Sequence, residues 1–444
     1  MIREAGSGRP QRARAAAALL LAALTAIPVS ADDTSRGLPE RLPAAVASAQ
    51  RLVERIRGVP FPGTIASAVL PEKELPRVLE KKLAEDLPVS FDRYAASLVA
   101  LGLVPPERDL KRRMLKLYAR QVAGFYDPEQ KKFFVVPERS DEAASSAAGF
   151  GGGAEGLLEQ ALLTHELTHA LQDRRLDLVP RMAALRENSD ASLALQAFLE
   201  GEATVVMMEA ILERLPAEAK AATSTDQLLA SMAQIAAGGV EGAEGVPEFF
   251  VKELLFPYTA GTAWISERRR HGGWMIVDAA YDHPPETTAE ILDPSRTGAP
   301  RMLLPFSALP SSEDLPPRSL PLYVDRLGAF VLRSLLEAAG AVDAGALAGT
   351  WQDDRVVFYE RSGTSGGPVG FIWNLRLATP DAARKVVALL GPFYAARAAG
   401  AASVLAQGDL LRVTRLPSAV VRRPAPTLPV LTLPAEASAP PARR

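Results

Sequence analysis

Residues 161–173 read ALLTHELTHALQD, and within them His165, Glu166 and His169 stand in the spacing H-E-x-x-H. The 444-residue chain has four histidines, so this five-residue window holds half of them. On an α-helix, positions four apart are turned by about 40°, which puts both imidazoles on one face, one turn apart. At that separation both rings reach a single Zn²⁺ at about 2.0–2.1 Å. Glu166, on the neighbouring strip, is placed to take a proton from a water on such an ion. The plain alternative is a pair of satisfied core histidines. It is disfavoured because the surrounding run is apolar, where an unpartnered carboxylate costs several kcal/mol unless a cation is near.

A catalytic zinc usually has three protein ligands and one open position. No third histidine follows at short spacing, so an acid is expected to complete the set. The best candidate lies in FLEGEA, residues 198–203, where Glu200 interrupts a long apolar run. Gly201 beside it costs about 1 kcal/mol of helix propensity relative to Ala, and it permits close approach of another element. Glu202 is the direct competitor, and Glu187 and Asp190 are more distant ones. Asp173, one turn past His169, is expected either to orient that imidazole or to be a solvated acid at the helix end.

These side chains need two helices to carry them. One is expected over about 155–173, after a Gly-rich loop at 138–153, and a second over 189–214. Ahead of them lie a helical stretch at 32–58, with Leu42, Val46, Leu52, Val53 and Ile56 for one face, and several amphipathic helices between Leu70 and Tyr118. VAGFYDPEQKKFFVVP, residues 122–137, predicts a hairpin turning at DPEQ. It offers an edge for an extended peptide, although Phe125, Tyr126, Phe133 and Phe134 suit a core better than subsite walls.

Residues 215–247 are polar and Ala-rich and expected to be helical. A buried helix is expected to start after Pro257, and a short one after HPPETT, capped by Thr287 with Glu290. Residues 307–321 form a Pro-rich linker. Beyond it VVFYE, VGFIWNLRLA and DLLRVTRL read as strands, and a helix capped at Thr379 lies between the last two.

HELTHALQD resembles the active-site helix of thermolysin-like metallopeptidases, and LEGEA resembles the N-E-G-[FY]-A segment that supplies the third ligand in zinc aminopeptidases. Both belong to the gluzincins, defined by HExxH plus a downstream Glu. The resemblance covers residues 155–212, and more loosely the VAGFYDP hairpin. Thirty residues separate His169 from Glu200, more than is usual in those two families, which marks a divergent branch. The resemblance implies a zinc metallopeptidase, more an endopeptidase than an exopeptidase, with one Zn²⁺ on His165, His169 and Glu200 and with Glu166 as general base. It also implies a Tyr or His oxyanion donor from a later segment, for which Tyr258, Tyr281 and His283 are candidates.

The expected fold is α+β. A mainly helical gluzincin-like domain with a small antiparallel sheet spans 32–317, a small α+β domain of unknown role spans 318–423, and a disordered Pro/Ala-rich tail spans 424–444. Residues 32–120 are open to two readings, a structural lobe or an inhibitory pro-segment. Arg9, Arg12 and Arg14 before the apolar run at 15–27, and VSA ending at Ala31, predict a signal peptide over 1–31. That run is too short for a permanent span, so an exported protein, periplasmic or extracellular, is expected. The absence of cysteine excludes disulfides and thiol chemistry, and a net charge of −2 gives no reason for a nucleic-acid partner. Peptide or protein is the expected substrate. The rival expectation is a zinc-holding envelope binding protein without proteolytic activity.

Overall fold

The computed structural model describes residues 38–137, 154–215, 243–305, 314–361, 366–398 and 402–417, with isolated positions between these segments. The expected signal peptide, Gly-rich loop and Pro/Ala-rich tail lie outside the described residues, as does most of 215–247. The architecture is α+β, with a three-stranded sheet, a five-stranded sheet and helices around both.

Helix α1, Leu38–Arg57, buries Leu42, Val46, Ala49, Leu52 and Val53 in one stripe at helical spacing. Helices α2 (Leu75–Asp86), α3 (Phe91–Leu101) and α4 (Leu110–Gln121) follow. The hairpin pairs β2, Gly124–Asp127, with β3, Lys132–Val135. Its turn is closed by Asp127, whose Oδ1 accepts from the amides of Glu129 and Gln130 at 2.9 and 3.2 Å.

This sheet is mixed, where a purely antiparallel one is expected from sequence. A short strand β1, Ala66–Val69, joins β3 in parallel, giving the order β1-β3-β2. Four partly exposed residues carry no alternation of their own, and the strand is defined by backbone pairing to a segment some 65 positions away, register Ala66↔Lys132.

The HELTH segment lies on α5, Ala154–Leu176, and LEGEA on α7, Ser189–Arg214, with the short α6, Leu178–Ala184, between them. Helix α8, Glu248–Phe256, runs straight through Pro257 into a π-helical turn, Pro257–Gly261, and on into α9, Thr262–Ala279. The helix expected to begin after Pro257 therefore begins before it. Proline lacks the N–H that continues the ladder, and a π turn is where a helix absorbs that break. Helix α10, Thr288–Leu292, is capped as expected: Thr287 Oγ1 accepts from the Glu290 amide and donates to Glu290 Oε1 at 3.0 Å.

The C-terminal sheet is antiparallel, in the order β4-β5-β6-β8-β7. The expected strands are β5 (Trp351–Arg361), β6 (Val369–Leu377) and β8 (Leu410–Arg415), and the helix is α13, Pro380–Ala398, with Thr379 Oγ1 accepting from Ala382 N. Four further elements have weak sequence signals: β4 (Ser319–Asp325), α11 (Gly328–Ala338), the short α12 (Ala344–Ala348) and β7 (Ala402–Gln407). Strand β4 begins inside the expected linker. Its Pro321 is tolerated at a sheet edge, next to a register shift.

One continuous core joins α7, α8 and α9 to α11, α13 and the five-stranded sheet through Phe198, Phe256, Trp264, Phe330, Trp351 and Phe371. A second cluster locks α1 and the hairpin onto α5 through Val46, Val53, Phe133, Leu163 and Leu167. Among the described residues no helix is long and apolar enough to cross a membrane.

Candidate metal centre

Leu163, Leu167, Ala170 and Leu171 turn one face of α5 into the core with α1 and the hairpin. His165, Glu166 and His169 share the same buried helix, each only 1% exposed. Glu200, from the middle of α7, is buried against them. The Nε2 atoms of His165 and His169 are 3.2 Å apart, and Glu200 Oε2 lies 3.1 Å from the first and 3.4 Å from the second. Donor atoms about 2.05 Å from a tetrahedral ion stand roughly 3.3 Å from one another, so the triangle has the size a zinc-like cation requires. The group could hold a metal ion, and among the described residues no other cluster of three His or acidic side chains does so.

The network fixes how His169 faces the triangle. Gln172 Nε2 donates to Leu199 O at 2.8 Å and to Glu202 Oε2 at 2.9 Å, which leaves Gln172 Oε1, 2.8 Å from His169 Nδ1, as an acceptor. His169 must therefore donate from Nδ1, and its neutral form turns the Nε2 lone pair toward Glu200 and His165. His165 Nδ1 forms no hydrogen bond of standard geometry.

Burial pushes the Glu166 carboxyl up to about 8, with Glu200 adding to the effect and His169 opposing it. Burial also works against the proton of His169, but the Glu200 and Glu166 carboxylates outweigh it and raise that group to about 9. Glu200 is drawn down to about 2 by both imidazoles in spite of burial. His165 is lowered, chiefly by burial. Two enclosed carboxyls beside two imidazoles thus make a pocket that favours a cation.

Glu202 sits two positions on, turned by about 200° from Glu200. It accepts from Arg57 Nε at 2.6 Å and from the Tyr281 hydroxyl as well as from Gln172. It braces the centre and does not face it. Arg57, wholly buried at the end of α1, also bonds Asp278 at 2.8 Å and stacks on Trp274.

Asp173 takes neither expected role. It is buried and accepts from the Tyr126 hydroxyl at 2.8 Å, Lys131 Nζ at 2.7 Å and the Leu178 amide at 3.1 Å, so it ties the hairpin to α5. Asp190 anchors the start of α7 to Thr288, and Glu187 is exposed.

The outer amide of β2, that of Tyr126, donates to Glu166 Oε2 at 2.9 Å. This orients the carboxylate, and it occupies the position at which an added peptide strand was expected to bond. Phe125, Tyr126 and Phe133 are buried, as their core assignment expects.

The π turn brings Tyr258 to the centre. A Cβ on Gly201 would strike the backbone of Gly261 and Thr262, and one on Gly261 would strike Ala197, so α7 and the turn touch backbone to backbone. The element that Gly201 admits is thus the one carrying Tyr258. Its buried hydroxyl is raised well above 10 by burial, by the Glu200 and Glu166 charges and by its hydrogen-bonding approach to Glu200, a contact that falls short of standard hydrogen-bond geometry. Tyr281 belongs to Glu202, and His283 is exposed on the loop after α9. Of the three candidate donors, only Tyr258 is placed at the centre.

Gln172, Arg57 and the Tyr126 amide have functional places with no part in the sequence expectations. Gln172 had a signal: it lies three positions after His169, the spacing of side chains that meet on a helix. Arg57 and Tyr126 reach the site only through tertiary packing. No protein-family model, no curated protein and no solved structure matches this chain.

Proposed function

We propose that this chain is an exported zinc metallopeptidase in which His165, His169 and Glu200 hold the ion and Glu166 is the general base. The observation that carries this reading is the triangle of three buried donor atoms, 3.1–3.4 Å apart, with the carboxyl of Glu166 enclosed beside it. Bound there, Zn²⁺ supplies Lewis acidity that lowers the pKa of a water to about 7 and polarises a carbonyl.

The chain's own groups do the remaining work. Glu166, whose carboxyl a bound cation would return to the ionised form and whose Oε2 the Tyr126 amide holds, accepts the proton of the attacking water and passes it to the leaving amine. The Tyr258 hydroxyl stays protonated and lies beside Glu200 without a hydrogen bond of standard geometry, so it can turn to donate to the developing oxyanion. Gln172 keeps the His169 lone pair turned inward. The basic and apolar pattern of residues 1–31 is what supports the export part of this reading.

The test is hydrolysis of an unfolded protein by residues 32–444, beside Glu166→Gln at equal zinc loading. Cleavage by the wild type with loss in the variant is the expected result. Zinc bound without cleavage by either would favour a metal-holding binding protein, and equal activity in both would remove Glu166 from the mechanism.

A further inference from the structure

A cavity of about 210 Å³ opens beside the metal centre, with Glu200 and Tyr258 in its wall. Most of its lining is apolar: Leu79, Phe91, Met114, Leu193, Phe250 and Leu254 come from five different helices. The volume is below the roughly 300–1,000 Å³ of small-molecule sites, and it suits one long side chain.

Into this lining α8 places Glu253, one turn before Pro257 and five residues before Tyr258. The carboxyl is enclosed by the protein, yet it keeps partial surface toward the cavity. Among the described residues it has no hydrogen bond and no ion pair. Its charge is felt by Tyr94 and Tyr118, which also line the cavity. The two cations of the lining are engaged elsewhere: Lys82 lies 3.8 Å from Asp127, and Arg186 donates to the Glu85 carbonyl. An enclosed, unpartnered carboxylate in apolar walls is costly unless something brings it a donor or an opposite charge. The Glu253 carboxyl faces open volume beside the reactive centre.

We propose that this cavity is the substrate side-chain pocket and that Glu253 selects a long basic side chain, lysine or arginine, next to the scissile bond. The assignment rests on the metallopeptidase reading. The aliphatic stem lies along Leu193, Phe250 and Leu254, as lysine and arginine stems do on apolar surface, and the charged head meets Glu253. An apolar side chain would leave the carboxylate unpaired, and that penalty is the source of discrimination.

The test maps the bonds cut in an unfolded protein by mass spectrometry, with zinc-loaded wild type, Glu253→Gln and Glu253→Leu. Wild type is expected to cut beside Lys or Arg at least tenfold above their occurrence. Glu253→Gln is expected to lose that preference while still cutting. Glu253→Leu is expected to shift the cuts toward apolar side chains, a change of specificity that a merely structural role would not produce. Cuts by the wild type without basic enrichment would overturn the pocket assignment and leave the peptidase standing. If zinc-loaded wild type cuts nothing, the peptidase reading falls and binding of agmatine, followed by calorimetry, decides the pocket. Binding lost in Glu253→Gln supports a cation site, and binding that is absent or equal in both proteins overturns it.

Discussion

Gln172 Oε1 lies 2.8 Å from His169 Nδ1, while the amide nitrogen of the same side chain holds Leu199 O and Glu202. One residue thus sets both the tautomer and the tilt of a metal-ligand candidate, and it joins α5 to α7. Gln172→Leu removes the acceptor at similar volume. Zinc affinity, measured by competition with a chelator, is expected to fall about 10–100-fold, with the circular dichroism of the fold retained. Unchanged affinity would mean that His169 is oriented by packing alone.

The two acids of LEGEA separate cleanly. Glu200→Gln is expected to weaken zinc binding severely, because Glu200 Oε2 is the third corner of the donor triangle. Glu202→Gln is expected to keep most zinc affinity but to lower stability by around 3 kcal/mol, because it leaves the wholly buried Arg57 with only Asp278 as a charged partner. Chelator competition and denaturant unfolding on the same two proteins check both halves. The reverse order would reassign the ligand.

Tyr258→Phe deletes one hydroxyl that lies beside Glu200 without a hydrogen bond of standard geometry. It is expected to reduce kcat by about 10²–10³ with KM and zinc content little changed, the signature of a donor used only in the transition state. His283→Ala, at an exposed loop position, is expected to leave kcat as it is. A large effect of His283→Ala would mean that the loop folds onto the centre when substrate binds. Gly201→Ala tests the same geometry from behind: its methyl strikes Gly261 and Thr262, so activity is expected to fall as Tyr258 is displaced, with zinc retained.

Burial pushes the Glu253 carboxyl up to about 7, with Asp325 adding to the effect, from an ordinary value of 4.5. The folded state therefore binds the proton more tightly than the unfolded one. The resulting penalty on stability is absent below about 4.5, grows as pH rises, and is complete above about 7. Glu253→Gln has no such penalty, so the Tm advantage of the variant is expected to widen from about pH 5 to pH 8. A constant difference would mean that the carboxyl already has a compensating partner.

Much of the centre was legible along the chain because helical spacing is a local property. His165 and His169 share a face because they are four apart, Glu200 is conspicuous as an acid in an apolar run, and Thr287 and Thr379 announce their caps. The long helix at 189–214 could be bounded from its pattern alone. Strand β1 could not, since its four residues are defined by pairing to β3, and neither could β4, whose Pro321 and the prolines just before it read as a linker.

The residue types and one-turn spacings determine that two imidazoles and a carboxylate can share a cation. Only tertiary structure decides which acid joins them. Glu200 and Glu202 are near-equivalent in sequence, and what separates them is that α7 meets α5 on one side while Arg57 and Tyr281 arrive on the other. The contact between Gly201 and Gly261, distant in sequence, brings Tyr258 to the centre. Glu253 likewise becomes notable only once five helices enclose a cavity around it. Those relations depend on which elements pack together, and packing is a property of the whole chain rather than of any window within it.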